Sequence, residues 1–372
     1  MENEKKIIVW GTGNWASEMW PFYKQMAQSE NIQIIGFIDN NPEKWGGTFK
    51  NLPVYSPNDL KKLKYDYISI WIKDETIYES IYLQLVKERG ILAECIIDVF
   101  GDYKKKLLEA YKGCDDKETT DFIEKVISTR DIQVYYFDEA KKYESHEVFY
   151  DKDADLNYTL FEGKRLYLSR TFNRYVMRDG KRYVGDLYWE QDLNSPHIYE
   201  SDNVFVKENS VVVDAGACEG NFSLHNIEKI RKLYLIECNE EWVEALKHTF
   251  KPYADRVVIC NKFLTNYDSD TTIRLDSLVN EDIIFLKMDI EGAEIDALEG
   301  GTDILQNSKE VACSICSYHR HDDEKRLKEY LVARGFETEV SKGYMLYLYD
   351  KYVCENPELR RGIVRGCKRK GL

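Results

Sequence analysis

The chain has 372 residues, more than one hydrophobic core usually holds, so we expect two domains. Its formal net charge of -14 repels polyphosphate, which argues against nucleic acid as a partner. The nine cysteines show no disulfide-framework spacing, no signal-peptide pattern precedes the first strand, and no apolar run approaches the roughly 20 residues of a membrane helix. A cytoplasmic protein without a membrane span is predicted.

Residues 1–103 alternate short apolar segments with helical ones. This alternation predicts a parallel sheet covered by helices, which begin at about Trp15 and Asp74. The expected strands are KKIIVWG, IQIIGFID, YDYISIWI and AECIIDVF.

A glycine turn follows the first of these strands. The segment from Gly11 through Gly13 and Asn14 fits the pattern G-x-G-x-x-A, and Asp39 ends the next strand. Such glycines let a pyrophosphate approach the backbone at a helix N-terminus, and such an acid bonds ribose hydroxyls. A nucleotide site is therefore predicted at Gly11, Gly13, Asn14 and Asp39. The alternative is a doubly wound domain that binds no ligand.

Three further segments differ in composition from the two α/β regions. Residues 104–147 are charged with helical spacing, which predicts a helical linker. Residues 148–200 are aromatic and β-rich, and their RDGKR predicts a hairpin turn because Asp-Gly tolerates positive φ. Residues 351–372 end in RRGIVRGCKRKGL and are expected to form a solvated basic tail.

Residues 201–350 form the second predicted α/β domain. The strands expected there are SVVVDAG, KLYLIEC, RVVICNK, IIFLKMD, EVACSICSY and YMLYLYD. Cys313 and Cys316 have the spacing of half a metal site. Strand residues three apart face opposite sides, however, so both are interpreted as core.

The glycine turn of this domain follows an acid. Asp214 ends the strand before Gly216, Gly220 comes next, and Glu237 ends the following strand. A carboxylate before the turn would repel a pyrophosphate but favour a ligand with ammonium and sulfonium groups. S-adenosylmethionine is that ligand, with Glu237 expected on the ribose diol.

The ordered motifs of residues 200–350 resemble the FkbM family of S-adenosylmethionine-dependent methyltransferases. They are VVVDAGACEGNFSL, LYLIECNEEW, IRLDSL, IIFLKMDIEGAEIDALEGG and a YH pair after a strand. The resemblance implies that Ala217 and Asp276 join the cofactor contacts. Cys218 and Glu219 depart from the usual pattern of the family.

Residues 5–72 are similar to the nucleotide-sugar-binding domain of bacterial sugar acetyltransferases and dehydratases. Gly11, Gly13, GFIDNNPEKWGG and LPVYSPNDL carry this likeness. It implies a role in glycan metabolism.

Methyl transfer requires alignment of donor and acceptor and removal of a hydroxyl proton. Ligands bind at the carboxyl ends of strands in open α/β sheets, so His319, Asp289 and Glu291 are the catalytic candidates. His319 is the predicted base as a neutral imidazole, and Asp289 or Glu291 is expected to orient the acceptor. A divalent cation shared by Asp289 and His319 is an alternative that no ligand spacing demands. The polar segment EQDLNSPHIY is interpreted as a cleft lining or a connector.

The predicted fold is α/β, with two Rossmann-like doubly wound domains and a small β-rich insert between them. The first would be nucleotide-binding-like and the second a class I S-adenosylmethionine methyltransferase. The predicted function is O-methylation of a sugar hydroxyl on a glycan or nucleotide-activated sugar in bacterial surface polysaccharide biosynthesis. The alternatives are a nicotinamide-dependent oxidoreductase of nucleotide sugars and a non-catalytic scaffold. A homo-oligomer is compatible with the sequence.

Overall fold

The chain is of mixed α/β class, as predicted, and it divides into two compact units. Unit 1 comprises Met1–Val134 and Leu346–Glu358, and unit 2 comprises Tyr135–Met345 and Leu359–Leu372. A computed structural model describes residues 4–29, 31–72, 74–98, 100–129, 132, 134, 146–172 and 175–369.

The sheet of unit 1 is built on the apolar segments of residues 1–103. Its strands are β1 Lys5–Trp10, β2 Ile32–Ile38, β3 Thr48–Phe49, β4 Leu52–Tyr55 and β5 Tyr67–Ile70, in the order β3-β4-β2-β1-β5. All neighbouring pairs are parallel except β3 with β4. The predicted strand AECIIDVF is wrong. Ala93–Cys95 form a 3-10 turn, and Ile96 makes only an isolated bridge to Ile68.

The helices of unit 1 are α1 Asn14–Ser29, α2 Glu75–Leu83, α3 Gly101–Ala110 and α4 Lys117–Ser128. The interpretation of residues 104–147 as a linker is wrong for α3 and α4, which belong to unit 1. Their apolar faces are buried, with Leu107 and Val126 fully inaccessible to solvent. Most of residues 130–145 lie outside the described part of the chain.

Unit 2 begins with a five-stranded antiparallel sheet. Its strands are β6 His146–Asp151, β7 Leu156–Phe161, β8 Lys164–Leu168, β9 Val176–Arg178 and β10 Lys181–Val184, in the order β8-β7-β6-β10-β9. The predicted hairpin joins β9 to β10, with Asp179 at φ 50° and Gly180 at φ 75°. Helix α5 spans Asp186–Trp189. The Tyr167 amide of β8 donates to the Thr249 hydroxyl of the main α/β layer.

The larger sheet of unit 2 has seven strands in the order β13-β12-β11-β16-β17-β19-β18. The strands from β11 onward are β11 Ser210–Ala215, β12 Ile230–Ile236, β13 Val257–Cys260, β14 Phe263–Leu264, β15 Thr272–Ile273, β16 Phe285–Met288, β17 Glu310–Cys316, β18 Glu337–Val340 and β19 Ile363–Arg369. The helices of this part of unit 2 are α6 Asn221–His225, α7 Glu240–Thr249, α8 Leu275–Leu278, α9 Glu294–Glu299, α10 Thr302–Asn307 and α11 Asp323–Val332, and α12 Lys351–Glu355 lies between β18 and β19 in the sequence.

The chain leaves β11 towards β12 on one side and later returns to pair β16 on the other. This reversal creates a crevice at the carboxyl ends of β11 and β16, where open α/β sheets bind their ligands. Among the helices in the described part of the chain, none combines the length and apolar composition that a bilayer-spanning helix needs.

The C-terminal segment corrects two predictions. The expected strand YMLYLYD forms only a single bridge, from Met345 to Arg360, and the expected basic tail contains β19. Strand β19 runs antiparallel between β17 and β18, with Ile363 and Val364 fully buried. The surrounding basic residues masked this apolar core of the segment. Helix α12 belongs to unit 1.

Candidate active site

The glycine turn after β11 lies directly against the end of β16. Gly216 has φ 72°, and a Cβ built on it would stand 1.7 Å from the Asp289 carbonyl oxygen. The Gly216 and Ala217 amides both donate to the Ile236 carbonyl of β12, at 2.9 and 3.2 Å. Gly220, at φ 77°, is less crowded, but a Cβ built on it would still stand 2.7 Å from Leu246 Cδ2 and 2.9 Å from Phe250 Cε2. Only glycine fits these two positions, so the predicted turn is held close to both neighbouring strands.

Asp214 lies at the end of β11 and is fully buried. Its carboxylate accepts from the Ser223 hydroxyl at 2.7 Å and pairs with the Lys287 ammonium at 3.0 Å. The same ammonium donates to the Gly216 carbonyl at 2.6 Å. Burial alone would lower the pKa of Lys287, but the Asp214 and Asp289 carboxylates raise it. The sequence suggested that the charge of Asp214 attracts a cationic ligand. In the structure this charge is instead neutralised by Lys287.

Glu237 follows β12 at the predicted position. One carboxylate oxygen accepts from the Cys218 amide at 3.0 Å and the other from the Asn239 amide at 2.8 Å. Asp276, predicted to contact the cofactor, contacts backbone amides of its own chain. Its two oxygens accept from the Asp303 and Ile304 amides, so it caps α10.

Asp289 follows β16 and receives four donors. Tyr199 and His197 approach Oδ2 at 2.9 and 3.4 Å, and His319 and Tyr318 approach Oδ1 at 3.3 and 3.4 Å. We call these five side chains the Asp289 hub. Burial would raise the pKa of Asp289, but His197 and His319 lower it well below its usual range. The carboxylate is therefore ionised at neutral pH.

His319 follows β17, as predicted, but its charge differs from the prediction. Nδ1 lies 3.1 Å from a Glu294 oxygen while Nε2 faces Asp289. Burial would lower the pKa of His319, but the Asp289 and Glu294 carboxylates outweigh it and raise the pKa to about 10. The ring is thus an imidazolium at neutral pH, so the predicted neutral base is wrong. As an imidazolium with both nitrogens facing carboxylates, His319 also offers no lone pair for the cation that was the alternative between it and Asp289.

Glu291 lies beside this pair but is 78% exposed, with one oxygen 3.7 Å from His319 Nε2. Its backbone has φ 57°, which places it in a strained turn just after β16. The structure therefore brings all three predicted catalytic residues together.

The sequence did not single out Tyr199, Tyr318 or Lys287. The first of these arrives from the segment EQDLNSPHIY, whose end reaches the hub. The Tyr199 carbonyl accepts from the Ser314 hydroxyl at 2.6 Å and from Arg365 Nε at 2.9 Å. Arg360 donates to the Tyr318 carbonyl at 2.9 Å. Residues from the supposed tail thus fix the backbone on two sides of the hub. No local pattern near residue 199 indicates these partners.

The glycine turn of unit 1 is shaped differently. Gly11, at φ 120°, lies against the Trp71 carbonyl, whereas Gly13 and the start of α1 at Asn14 face open space. Asp39 accepts from the Thr12 amide and hydroxyl and pairs with Lys44 at 2.8 Å. Burial raises the pKa of Asp39, but Lys44 and Thr12 lower it more. Asp39 is therefore engaged by its own turn, which limits the predicted contact with ribose.

Two family models match the chain. Residues 177–338 match the Methyltransferase FkbM domain, and residues 3–97 match the model C2185-like, N-terminal. The second match does not support the expected likeness of the first domain to sugar acetyltransferases and dehydratases. No curated protein matches the chain at a significant level.

Among solved structures, the methyltransferase FkbM of Methylobacillus flagellatus KT is 14% identical, with a TM-score of 0.50. The match covers 98% of this chain and 90% of that one, so the two share a fold. Weaker matches include the M. jannaschii tRNA m1G37 methyltransferase, at 17% identity and TM-score 0.34 over 62% and 56% of the two chains. SMU.1697c of Streptococcus mutans in complex with SAH is 12% identical, with a TM-score of 0.31 over 45% and 92%.

Proposed function

We propose that this chain, which carries an FkbM methyltransferase domain over residues 177–338, methylates a sugar hydroxyl at the Asp289 hub. S-adenosylmethionine would supply the methyl group. The observation that carries the proposal is the adjacency of the glycine turn and the hub. The Asp289 amide donates to the Ala215 carbonyl at 2.9 Å, and Lys287 reaches Asp214, the Gly216 carbonyl and the neighbourhood of the Tyr199 ring.

The residues of the turn fit this cofactor. The positive-φ backbone at Gly216, Cys218 and Gly220 forms a tight turn packed against the end of β16 and against α7, and this turn is the proposed cradle of the cofactor. Glu237 is buried at the end of β12 and is the acid suited to the ribose diol. Ala217, between Gly216 and Cys218, adds a small side chain to the cradle.

In this proposal Asp289 orients the acceptor. The His319 imidazolium keeps the carboxylate ionised, and Asp289 accepts a hydrogen bond from the acceptor hydroxyl at its exposed edge. Its side chain is 21% exposed, so a ligand can reach it. The Glu291 carboxylate, 78% exposed, would accept a hydrogen bond from a second sugar hydroxyl on the solvent side. His319 would then act as a fixed cation, and the Asp289 carboxylate would take the hydroxyl proton as the methyl group is transferred to the oxygen.

The finer parts of the proposal concern the acceptor and unit 1. The carboxylate and the two phenols of the hub suit an acceptor rich in hydroxyl groups, and we propose a glycan or an activated sugar in surface polysaccharide biosynthesis. The Lys44 ammonium, 39% exposed above the first turn, suits a phosphate-bearing ligand such as the nucleotide of an activated sugar. Gly13 leaves room for it.

The experiment measures cofactor binding and methyl transfer separately. Calorimetry with S-adenosylmethionine and S-adenosylhomocysteine tests the cofactor, and transfer of a labelled methyl group to a panel of sugars and nucleotide sugars tests the acceptor. Asp289→Asn should keep cofactor affinity and lower turnover about 100-fold or more. Glu281→Gln, which removes an ion pair with Arg231 elsewhere in unit 2, is the matched control and should retain activity.

Three outcomes would contradict the proposal. Binding of a nicotinamide cofactor without binding of S-adenosylmethionine would favour the oxidoreductase. Ligand binding without turnover on any hydroxyl acceptor would favour the scaffold. Full activity of Asp289→Asn would show that the Asp289 hub has no role in the reaction.

A further inference from the structure

We propose that His197, Asp289 and Cys316 bind a divalent transition-metal ion, for which zinc is the best match to their donor atoms. The imidazole Nε2, the carboxylate and the thiol sulfur all lie within 4.8 Å of one another. His197 and Cys316 are buried, and Asp289 is partly exposed at the edge of the crevice.

The spacing of two pairs of these donor atoms matches that of ligands around one bound ion. His197 Nε2 is 3.4 Å from Asp289 Oδ2, and Cys316 Sγ is 3.7 Å from the same Nε2. A charge-assisted N–H···O bond is usually about 2.7–2.9 Å long. Around a tetrahedral zinc, with Zn–N and Zn–O near 2.0–2.2 Å and Zn–S near 2.3 Å, neighbouring ligand atoms lie roughly 3.3–3.7 Å apart. Both measured distances fall in or close to that interval.

The donor types also select among ions. A thiolate and an imidazole are soft and borderline ligands that favour zinc and similar metals, whereas magnesium and calcium prefer oxygen alone. Three protein ligands leave a fourth position for water or another oxygen, as in catalytic zinc sites. On binding, Cys316 forms the metal–sulfur bond as a thiolate and its proton passes to solvent.

The surrounding charges leave room for the ion. Two cations lie nearby, but Lys287 pairs with Asp214 at 3.0 Å and His319 pairs with Glu294 at 3.1 Å. His319 lies between Glu294 and Asp289, so these two carboxylates share one cation. The negative charge left over, together with that of the Cys316 thiolate, is balanced by the metal.

The groups around the three ligands would orient them. Tyr199 donates to Asp289 Oδ2 and Tyr318 to Oδ1, and ligating carboxylates commonly have such partners. Tyr318 also lies 3.2 Å from His197 Nε2, so this nitrogen is shared among several groups. His197 Nδ1 is buried and has no hydrogen-bond partner among the described residues. The ring is positioned by its packing against the Tyr199 and Tyr318 rings and by the nitrogen that faces the proposed ion.

Cys313 provides a matched control on the same strand. It lies three residues before Cys316 in β17 and is also fully buried, but it faces the hydrophobic core. Replacing either cysteine by serine changes a sulfur to an oxygen at a fully buried position of the same strand. Only the Cys316 change removes a proposed ligand.

The test uses the full chain, purified without an affinity tag that binds metals. We expect about one zinc ion per chain by mass spectrometry of the metal, retained after dialysis and removed by a strong chelator. Replacement by cobalt should give the absorption of tetrahedral Co²⁺ with a thiolate charge-transfer band. Cys316→Ser should abolish that band and His197→Ala should lower the metal content at least 10-fold, the scale of a lost ligand contact. Cys313→Ser should retain both.

The proposal fails if the chelated wild type, resupplied with zinc or cobalt, retains less than a tenth of an equivalent. It also fails if Cys316→Ser binds as the wild type does. If circular dichroism shows that a variant does not fold, alkylation of the wild type provides the test. Zinc should slow the alkylation of Cys316. Equal alkylation of Cys316 with and without zinc would overturn the proposal. None of these measurements needs cofactor or acceptor, so their result is independent of methyl transfer.

Discussion

Each unit places a lysine at its glycine turn, but one lysine is exposed and the other is buried. The Lys44 side chain in unit 1 is 39% exposed and bonds Thr12 and Asp39, whereas the Lys287 side chain in unit 2 is 5% exposed and lies beneath Gly216. The first turn therefore presents a cation to an incoming ligand. The second uses its cation to neutralise Asp214, and it leaves Glu237 as the acid beside the turn. Related backbone shapes thus favour ligands of different charge.

The largest expected effect is on stability, because the space around the glycines differs between the two turns. Gly216→Ala should destabilise unit 2 by at least about 3 kcal/mol and abolish cofactor binding, because the new Cβ would overlap the Asp289 carbonyl at positive φ. Gly13→Ala in unit 1 should change stability by no more than about 0.5 kcal/mol, since nothing lies within 4 Å. Urea denaturation followed by circular dichroism compares them. Equal stability of the two variants would contradict the close contact at Gly216.

The next largest effect is on cofactor affinity, and it distinguishes the two acids that follow a strand, Glu237 and Asp39. Glu237→Ala should weaken S-adenosylmethionine binding by about 1–3 kcal/mol, because hydrogen bonds to a charged acceptor are lost. Asp39→Ala, the equivalent change in unit 1, should leave that affinity unchanged. Calorimetry on both variants provides the measurement. If both variants bind like the wild type, Glu237 has no role in cofactor binding.

A smaller effect is expected from the exposed lysine. Lys44→Met should weaken the binding of a nucleoside diphosphate about 2- to 5-fold, the scale of a solvent-exposed ion pair. Lys62→Met removes another exposed lysine of unit 1, paired with Asp59, and should have no effect. Fluorescence titration with uridine or adenosine diphosphate would detect the difference. Failure of the wild type to bind either would end the proposal for the first turn.

The smallest effect is a dependence of stability on pH at Asp39. Because Lys44 and Thr12 lower the pKa of Asp39 below 3.8, its contribution is present above pH 3.8 and is lost as the pH falls through the folded pKa. The contribution should be less than about 1 kcal/mol, given its partial exposure to solvent. Asp39→Asn should therefore be less stable than the wild type at pH 6. The gap should narrow at pH 3, and a constant gap would show that the carboxylate charge is not its cause.

The features that the sequence predicted are local ones. The strands β11, β12 and β16, the turn at Gly216 and the position of His319 follow from apolar runs and glycines within a few residues. The charge of His319 depends on Glu294, 25 residues away along the chain, so the sequence alone favoured a neutral ring. The hub depends on Tyr199, which is 90 residues from Asp289. Contacts between residues so far apart in the sequence do not change the local hydrophobic pattern from which elements are predicted.

The C-terminal strand was missed for a related reason. Its apolar pair Ile363 and Val364 is flanked by arginine, lysine and glycine, a composition typical of a solvated segment. Burial of Arg365 is tolerated because its guanidinium donates to the carbonyls of Ile198 and Tyr199, more than 160 residues earlier. The basic character thus reflects a buried hydrogen-bonding role that only the tertiary structure reveals.

The place of β19 in the sheet also constrains how the protein is made. A ribosome that has reached Tyr349 has already synthesised every side chain of the hub, but not the strand that inserts between β17 and β18. Until β19 has been synthesised, the edge of β17 lacks its partner, and unpaired edges invite aggregation. Unit 2 therefore completes its folding only after β19 has left the ribosome. A nascent chain stalled before residue 363 would be a substrate for chaperones or proteases rather than an enzyme.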